Sequence, residues 1–337
     1  MTAATLDAHN APLTLHTISM GSPLFGEVKV RVLMAGICGA QLQEIAGHKA
    51  ENMPLPRCLG HEGCGEVVEI GDGVTTVKEG DRVCLHWRKG AGMDVPHGTI
   101  YHHFDYVRIT DVPAGPIHTF CSEAILSENR ITKVDYDTPP ELVSLLGCAL
   151  STALACIEND AKLRIGESFG ISGMGGVGRS LLHAGTAIGA LYEATDKVDC
   201  IFDTTGNPEQ IEACFARLNP GGRLILIGQP APNHAIRIPN ARHMFDGSGM
   251  SIIASQGGQF VPQRDIPRYV KLWRAGLLQW EPIVSHAYPL AEVNAALDML
   301  RTGTAGRILL DCNEDPDAWR NSKGGAGNYR FKPYDSR

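Results

Sequence analysis

Side chains that commonly bind metals occur in three separate segments of the chain. Cys38 lies in the segment AGICGAQ, the adjacent pair His61 and Glu62 lies in GHEGCG, and Cys148 lies in LLGCALS. Two thiolates and one imidazole leave a fourth coordination position for water or substrate, which is the pattern of a catalytic zinc site. The neighbouring glutamate supplies a carboxylate beside the same metal. These four residues are therefore candidate metal-binding and catalytic residues.

Some of these residues also have an alternative interpretation. Cys148 lies among leucines, where a cysteine is most often a small buried hydrophobic residue, and Cys38 follows an apolar strand pattern and could belong to the core. A rival metal set is Cys58, His61 and Cys64, with the spacing C-x-x-H-x-x-C. That set would need a fourth ligand that the sequence does not indicate.

A glycine-rich segment, GMGGVG at residues 173–178, matches the pattern G-x-G-x-x-G. It follows a predicted strand and opens a predicted helix, which is the context that dinucleotide binding needs. Glycines allow a tight turn and the close approach of a pyrophosphate to a helix N-terminus. The alternative is a glycine-rich turn without a ligand. The residues predicted to bind a cofactor are Gly173, Gly175, Gly176, Val177 and Gly178.

Two kinds of sequence pattern predict the elements that position these residues. Before Pro140 the chain shows short strands and no long helix, because residues 27–33 alternate with period two and residues 65–70 and 78–83 combine strand and turn signals. After Pro140 a long apolar helix, residues 141–159, is followed by alternating strands and helices. The predicted fold class is α/β, with a small antiparallel β domain and a doubly wound parallel domain.

Composition and charge exclude several classes of protein. The chain has 337 residues, and 30 Lys and Arg against 37 Asp and Glu give a net charge of −7, which does not favour nucleic-acid binding. The first residues show no secretory signal pattern, and the most apolar stretch, residues 142–156, is too short and too mixed to span a membrane. The ten cysteines are spread along the chain and indicate reduced thiols. We expect a cytoplasmic protein that binds neither nucleic acids nor membranes.

The motif around the histidine resembles the zinc signature of the zinc-dependent medium-chain alcohol dehydrogenase family. The upstream segment AGICG, residues 35–39, places Cys38 where that family has its first zinc ligand. The resemblance extends from Glu27 to about Leu310 and so covers most of the chain. The residues of the signature itself are Gly60, His61, Glu62, Gly65, Gly71 and Val74.

The resemblance implies a fold and an activity. It implies a GroES-like catalytic domain formed by residues 1–145 and 284–337, with a Rossmann cofactor domain, residues 146–283, between its halves. It implies hydride transfer between a nicotinamide cofactor, NAD or NADP, and a small alcohol or carbonyl substrate. It also implies a homodimer or homotetramer that pairs through the predicted edge strand at residues 250–254.

The resemblance further implies roles for individual residues. Cys38, His61 and Cys148 are the implied zinc ligands, and Glu62 is the acid beside the metal that can exchange with water as a ligand. Arg307, in the closing strand of the family, matches a residue near the cofactor pyrophosphate.

Trp87 resembles the aromatic residue that lines the substrate pocket of the family, and an ordinary core tryptophan is an equally good interpretation. Its neighbours His86, Arg88 and Lys89 suit a polar or anionic substrate such as a polyol, a sugar or a cyclitol. A solvated basic loop is the alternative interpretation of these charges.

Two departures from the family pattern concern the chemistry. The region after Cys84 lacks the four cysteines that hold a structural zinc in many relatives, so one catalytic zinc and no structural zinc is expected. Ala40 stands where the family usually has a serine or threonine that passes the substrate proton outward. Gln41, Gln43 and His48 are candidate replacements.

The third departure is the short segment between Gly178 and Cys200, which has room for one helix and a connection. A doubly wound domain needs further strand and helix units there. Asp196 lies near the ~20-residue spacing of a ribose-binding acid, although its surroundings fit a helix end entering the next strand better. We predict an interruption of the chain between about Ile188 and Asp199, and the alternative is a truly shortened chain.

Two other functions remain open at this stage. One is a zinc-free quinone or enoyl reductase of the same superfamily, against which the presence of a complete candidate ligand set argues. The other is a zinc-binding protein with a degraded cofactor site, which only the short segment supports.

Overall fold

The structure, a computed structural model, describes residues 1–48, 54–104 and 109–313. These residues form two compact units. The first unit comprises Met1–Cys148, Val261–Val270 and the described residues from Trp280 onward, and the second comprises Ala149–Phe260 and Lys271–Gln279. The functional domain limits implied by the family resemblance stay a prediction.

The described part of the chain is rich in strands before Pro140 and mixed after it. The strands are β1 (Thr2–Leu6), β2 (Thr14–Ser19), β3 (Glu27–Ile37), β4 (Arg57–Cys58), β5 (Glu62–Ile70), β6 (Arg82–His86), β7 (Ile100–Phe104), β8 (Ile109–Pro113), β9 (Glu123–Ser127), β10 (Ile131–Lys133), β11 (Ser168–Ser172), β12 (Leu191–Tyr192), β13 (Val198–Asp203), β14 (Leu218–Leu226), β15 (Ser251–Ala254), β16 (Val284–Pro289) and β17 (Arg307–Asp311). The helices are α1 (Gly39–Ile45), α2 (Pro140–Leu146), α3 (Ala149–Ala155), α4 (Gly176–Ala187), α5 (Pro208–Cys214), α6 (Pro262–Arg274) and α7 (Val293–Arg301).

Two sheets form the first unit. One has the strand order β4-β1-β2-β7-β8, and the other has the order β10-β6-β5-β3-β17-β16, with β9 also paired with β3. In the second sheet β17 is antiparallel to β3 and parallel to β16. β3 follows its period-two pattern, because Val28, Val30 and Val32 are fully buried whereas Arg31 between them is exposed.

The second unit is built on one parallel sheet with the order β12-β11-β13-β14-β15. The middle of the central strand β13 is apolar, as a sheet covered on both faces requires, and its Cys200, Ile201 and Phe202 are fully buried. Together with the largely antiparallel first unit, this sheet confirms the predicted fold class.

The long apolar helix predicted over residues 141–159 is bent. α2 ends at Leu146, α3 begins at Ala149 and continues into a π-helical turn at Cys156–Ala161, and the two arms meet at 54°. Within the described residues, no single helix is long and apolar enough to cross a membrane. The two arms of this bend meet the length and composition of a span only when taken together.

The segment between α4 and β13 takes a path that the sequence analysis did not predict. β12 pairs with β11 on one side, β13 pairs with β11 on the other, and residues 193–197 connect the two. The prediction of an interruption assumed that the absent strands were central. β12 lies at the end of the strand order. A shorter chain therefore lacks strands at the edge of this sheet, and the remaining strands keep their hydrogen-bonded neighbours. The premise of central strands is therefore wrong for this sheet, and the interruption between about Ile188 and Asp199 stays a prediction.

Candidate metal and cofactor sites

Four side chains of the first unit converge on one point. Cys38, His61, Glu62 and Cys148 each offer one ligand atom, and these atoms lie within 4.8 Å of one another. Glu62 and Cys148 are buried, and Cys38 and His61 are half-buried. In the described part of the chain, this is the one group of three or more His, Cys, Asp and Glu side chains placed closely enough to hold a metal ion.

Neighbouring elements bring these residues together. Cys38 lies between the end of β3 and the start of α1, and β3 pairs with β5, which begins at Glu62 directly after His61. Cys148 lies at the bend between α2 and α3. Each candidate ligand therefore lies at or next to the end of an element, where separate segments of the chain come together.

Two glycines make room for the cluster. A Cβ atom at Gly36 would lie 2.6 Å from Cδ of Glu62, so the bare backbone of β3 accommodates the carboxylate. A Cβ atom at Gly147 would lie 2.2 Å from the carbonyl oxygen of Leu85, so only glycine lets the helix bend approach β6. The bend that presents Cys148 therefore depends on the glycine before it.

Gln41 connects two of the candidate ligands. It is fully buried in α1, its Oε1 accepts a hydrogen bond from the backbone N–H of Cys38 at 2.9 Å, and its Nε2 lies 2.7 Å from Nδ1 of His61. From the sequence alone, Gln41 is only a candidate proton carrier. Its position three residues after Cys38, at the third residue of a helix, is the sequence signal of a residue that bonds back to the helix start. The other two candidates, Gln43 and His48, are exposed and hydrogen-bond to each other.

Arg307 lies against the cluster. Its guanidinium is 3% exposed and its Nη1 lies 2.9 Å from Oε1 of Glu62, which is fully buried. The same nitrogen donates to the carbonyl oxygen of Ile37 at 2.8 Å. The family resemblance implies a cofactor contact for Arg307, and no sequence signal indicates this ion pair, because the partners are distant in the sequence and meet only through the pairing of β17 with β3. Its role beside a pyrophosphate stays a prediction.

The two cysteines of the cluster shift each other's pKa in opposite directions. The hydrogen bond from Cys148, together with the nearby Arg307 and His61, holds the pKa of the Cys38 thiol well below its usual value despite burial. The same hydrogen bond and burial raise the pKa of Cys148 well above its usual value. Burial lowers the pKa of His61, but its hydrogen bond to Cys38 and the charge of Cys38 raise it overall. A thiolate at Cys38 is therefore stabilised from three sides.

The rival metal set is not brought together in the part of the chain that the structure describes. Cys58 pairs with Thr5 in the sheet of β1 and β4, whereas Cys64 pairs with Cys84 between β5 and β6. Burial raises the pKa of Cys58 and of Cys64 to about 12, so both remain neutral thiols. Cys84 donates a hydrogen bond from its buried thiol to the carbonyl oxygen of Val143 at 3.3 Å.

Trp87 follows β6 and is half-buried. Its carbonyl oxygen accepts a hydrogen bond from Arg130, and the Arg88 guanidinium lies 5.7 Å from the centre of its ring. Burial lowers the pKa of His86 to about 4, so this histidine is neutral. Lys89 is exposed and pairs with Asp94 at 2.6 Å. A substrate-lining role for Trp87 stays a prediction.

The predicted cofactor-binding turn forms in the second unit. β11 ends at Ser172, Gly173 adopts φ +93°, and α4 begins at Gly176 with Gly175 before it. A Cβ atom at Gly178 would lie 1.9 Å from the carbonyl oxygen of Gly173. The first and last glycines of the motif are therefore required by the turn itself, while Gly175 has open space around its Cα.

Two family models match the chain. The alcohol dehydrogenase GroES-like domain matches residues 25–135, and the zinc-binding dehydrogenase model matches residues 186–310. The chain belongs to the medium-chain dehydrogenase family. It is accordingly an oxidoreductase of the alcohol dehydrogenase type, with a GroES-like unit and a Rossmann unit.

Individual relatives agree with this placement. Alcohol dehydrogenase 6 of Peromyscus maniculatus is 27% identical, and the alignment covers 91% of this chain and 96% of the relative. An alcohol dehydrogenase zinc-binding domain protein from Burkholderia ambifaria is similar in structure, with a TM-score of 0.80, 25% identity, and coverage of 92% of this chain and 98% of that one. Benzyl alcohol dehydrogenase from Acinetobacter calcoaceticus shares the fold, with a TM-score of 0.78, 23% identity, and coverage of 92% and 98%.

Proposed function

We propose that this dehydrogenase is zinc-dependent and transfers hydride between a nicotinamide cofactor, NAD or NADP, and an alcohol or carbonyl compound. The observation that carries the proposal is the convergence of two thiols, an imidazole and a carboxylate within 4.8 Å. Three protein ligands from this set, with the fourth position open, make the coordination of a catalytic zinc.

The donor set fits zinc by chemistry and by spacing. Zinc binds thiolates at ~2.3 Å and imidazoles at ~2.0–2.1 Å, so ligand atoms around one ion lie about 3–4 Å apart. A set already within 4.8 Å needs only small side-chain movements to reach that spacing. Cys38, His61 and Cys148 would hold the metal, with Glu62 able to replace a water ligand. When bound, zinc supplies a Lewis acid that polarises an alcohol or carbonyl oxygen of the substrate.

The chain's own residues determine which of the candidate ligands carry a proton before a metal binds. Cys38 is poised as a thiolate, whereas Cys148 holds a proton that it must release on binding metal. Because Oε1 of Gln41 is occupied by Cys38, its Nε2 donates to Nδ1 of His61, which places the imidazole proton on Nε2. For His61 to bind through Nε2, the proton must lie on Nδ1, and the Gln41 amide must turn so that its oxygen accepts this proton and releases the N–H of Cys38. Gln41 is thus a positioning residue for the histidine ligand.

Glu62 and Arg307 set the charge around the metal position. The guanidinium balances the Glu62 carboxylate, and the charges of Glu62, Cys38 and Cys148 together raise its pKa although burial lowers it. Arg307 is therefore always protonated. A buried cation beside two thiol ligands favours their thiolate forms, which are the forms that bind zinc.

Within the alcohol class we propose a polyol, a sugar or a cyclitol as the substrate. The support is the basic segment after β6, although Lys89 there is paired with Asp94 and Arg88 lies by the Trp87 ring. A panel of polyols, sugars and simple alcohols, assayed for reduction of NAD and NADP by absorbance, tests this choice. Turnover of simple alcohols alone would contradict the polyol proposal and leave the dehydrogenase proposal standing.

The zinc proposal is tested by metal analysis of matched variants. We expect about one zinc per chain in the wild type, and loss of metal and turnover in Cys38→Ser and His61→Ala, with cofactor binding largely retained. Cys214→Ser is the control, because Cys214 lies in the second unit and its thiol donates to the carbonyl oxygen of Gln210, a bond that serine keeps. Full activity and bound zinc in His61→Ala would refute the catalytic-zinc proposal. Turnover of quinones or enoyl compounds by metal-free protein would favour the zinc-free reductase.

We also propose a homodimer or a dimer of dimers in the cytoplasm. β15 ends the strand order of the second unit's sheet, and Ser251, Ile252 and Ala254 along it are exposed. Exposed edge strands are commonly covered by pairing, and a two-fold axis would pair two copies of β15. A monomer by light scattering at micromolar concentration would contradict this proposal.

A further inference from the structure

The carboxyl edge of the second unit's sheet keeps one half of a dinucleotide-binding crevice. The strand order changes direction at β11, with β12 on one side and β13 on the other, and ligands of such sheets bind where the order reverses. On the β13 side the turn at Gly173 opens α4, whose twelve residues from Gly176 to Ala187 present N-terminal N–H groups to a phosphate. This half retains the features that bind the pyrophosphate.

The other half, on the β12 side, is shortened. β12 pairs with β11 only at Ser168 and Phe169, whereas β11 continues to Ser172 before the turn. At about 3.3 Å per residue, β12 therefore ends about 10 Å short of the edge where Gly173 lies. Among the described residues, no strand end stands beside the glycine turn on this side.

The segment after β12 turns away from that edge. Residues 193–197 must pass across β11 to reach β13, and Gly170 of β11 lies beneath them. The carbonyl oxygens of Glu193 and Asp196 accept hydrogen bonds from Nη2 of Arg217, at 3.0 Å and 3.4 Å. The Arg217 guanidinium thus holds the crossing segment away from the carboxyl edge of the sheet.

The acids near this segment do not reach the crevice in a position to bind a ribose. Asp196 is exposed and lies in the crossing. Asp199 accepts from the backbone N–H and hydroxyl of Ser168, at the opposite end of the strands. Asp203, at the end of β13, accepts from Thr205 and from the N–H of Gly206 and so stabilises its own turn. In this kind of domain a strand-end acid that hydrogen-bonds the ribose diol favours NAD, and a nearby arginine that accommodates the 2′-phosphate favours NADP. Arg179 donates to the carbonyl oxygen of Met174, and Arg217 is bonded to the crossing.

We propose that the second unit binds a nicotinamide cofactor through its nicotinamide mononucleotide half, whose phosphate meets the glycine turn, and gains no affinity from the adenosine half with its own phosphate. The ligand class it takes is therefore a nicotinamide mononucleotide with or without an appended nucleotide. The unit does not distinguish NAD from NADP, because among the described residues no strand-end acid lies where the ribose diol would bind, and Arg179 and Arg217 bond to backbone carbonyl oxygens. This inference rests on the proposed function for the presence of a nicotinamide ligand, and it adds which part of that ligand is recognised.

The test is a fluorescence titration of the full zinc-loaded chain with NADH, NADPH and reduced nicotinamide mononucleotide. We expect three dissociation constants within threefold of one another, and any ratio below tenfold supports the proposal. A dissociation constant for NADH at least tenfold lower than that for the mononucleotide, or a tenfold difference between NADH and NADPH, would overturn it. Either of those results would leave the proposed dehydrogenase function standing. Absence of binding by all three ligands would overturn both proposals.

Substitutions in the second unit test which of its residues contact the cofactor. Asp196→Asn and Glu193→Gln should change the dissociation constant of NADH by less than twofold, and a tenfold loss in either would show that an acid reads the ribose and so refute the inference. Gly175→Ala has room for its methyl group in the fold, yet it should weaken all three ligands at least tenfold, because the added Cβ blocks the approach of the phosphate. Unchanged binding in Gly175→Ala would place the ligand elsewhere and also overturn the proposal.

Discussion

The buried pair Glu62 and Arg307 gives a prediction whose size follows from its geometry. The charged atoms lie 2.9 Å apart, and the side chains are fully buried and 3% exposed. Two unit charges at this distance attract each other by about 6 kcal/mol at an effective dielectric constant of 20. Breaking such a pair from one side costs about 3–5 kcal/mol of folding free energy, because the remaining charge stays buried without its partner.

The structure also predicts which partner is more costly to lose in metal-free protein. After Glu62→Gln, Arg307 keeps the carbonyl oxygen of Ile37 and the nearby Cys38 thiolate, so we expect a loss near 3 kcal/mol, the lower limit of the range. After Arg307→Met, both Glu62 and the Cys38 thiolate lose their shared cation, so we expect about 5 kcal/mol. The double variant should be less destabilised than the sum of the single variants, with a coupling of at least about 2 kcal/mol.

Urea unfolding of chelator-treated protein, followed by circular dichroism and by fluorescence, measures these losses. Asp298→Asn is the matched control. Its partner Arg301 lies 2.5 Å away, but the side chains are 74% and 46% exposed, and exposed pairs contribute at most about 1 kcal/mol. A loss below about 1 kcal/mol in either buried variant would refute the reasoning. So would a larger loss in Glu62→Gln than in Arg307→Met.

Three further predictions follow from other contacts. Gln41→Met, which keeps the volume but removes the amide beside the histidine ligand, should weaken zinc binding by about 10–100-fold in competition with a chelating dye, and an unchanged affinity would contradict its positioning role. Burial lowers the pKa of His86 to about 4 and that of His118 to about 3, so the unfolded chain binds more protons below pH 6.5 and each histidine should remove about 2 kcal/mol of stability by pH 5. His118→Gln should roughly halve this loss in urea midpoints measured from pH 7.5 to 5, and an identical pH dependence would count against the assignment. Gly147→Ala should lower stability by more than about 2 kcal/mol and also weaken zinc binding, because its Cβ would lie 2.2 Å from a backbone oxygen of β6. A fully stable Gly147→Ala variant with normal zinc binding would show that the bend tolerates a side chain.

Local sequence patterns predicted the parts of the fold that depend on neighbours in the chain. The alternation in β3 and the apolar run in β13 predicted strands, because burial on one face or on both selects these patterns. The glycine spacing at residues 173–178 predicted the turn between β11 and α4, because a tight turn and a close backbone approach both require glycine there. The candidate metal-binding side chains were likewise recognised from their types and local motifs.

Only the tertiary structure decided the contacts between distant segments. The bend at Gly147, which presents Cys148, arises from the close approach of β6, and no local signal separated it from a straight apolar helix. The pairing of Arg307 with Glu62 depends on β17 lying beside β3. The place of the shortened segment in the sheet also needed the tertiary structure, because sequence length does not show whether an absent strand is central or at an edge, and only the strand order places β12 at an edge. Patterns within one element follow from burial and backbone sterics, whereas strand order and side-chain pairing are properties of the whole folded chain.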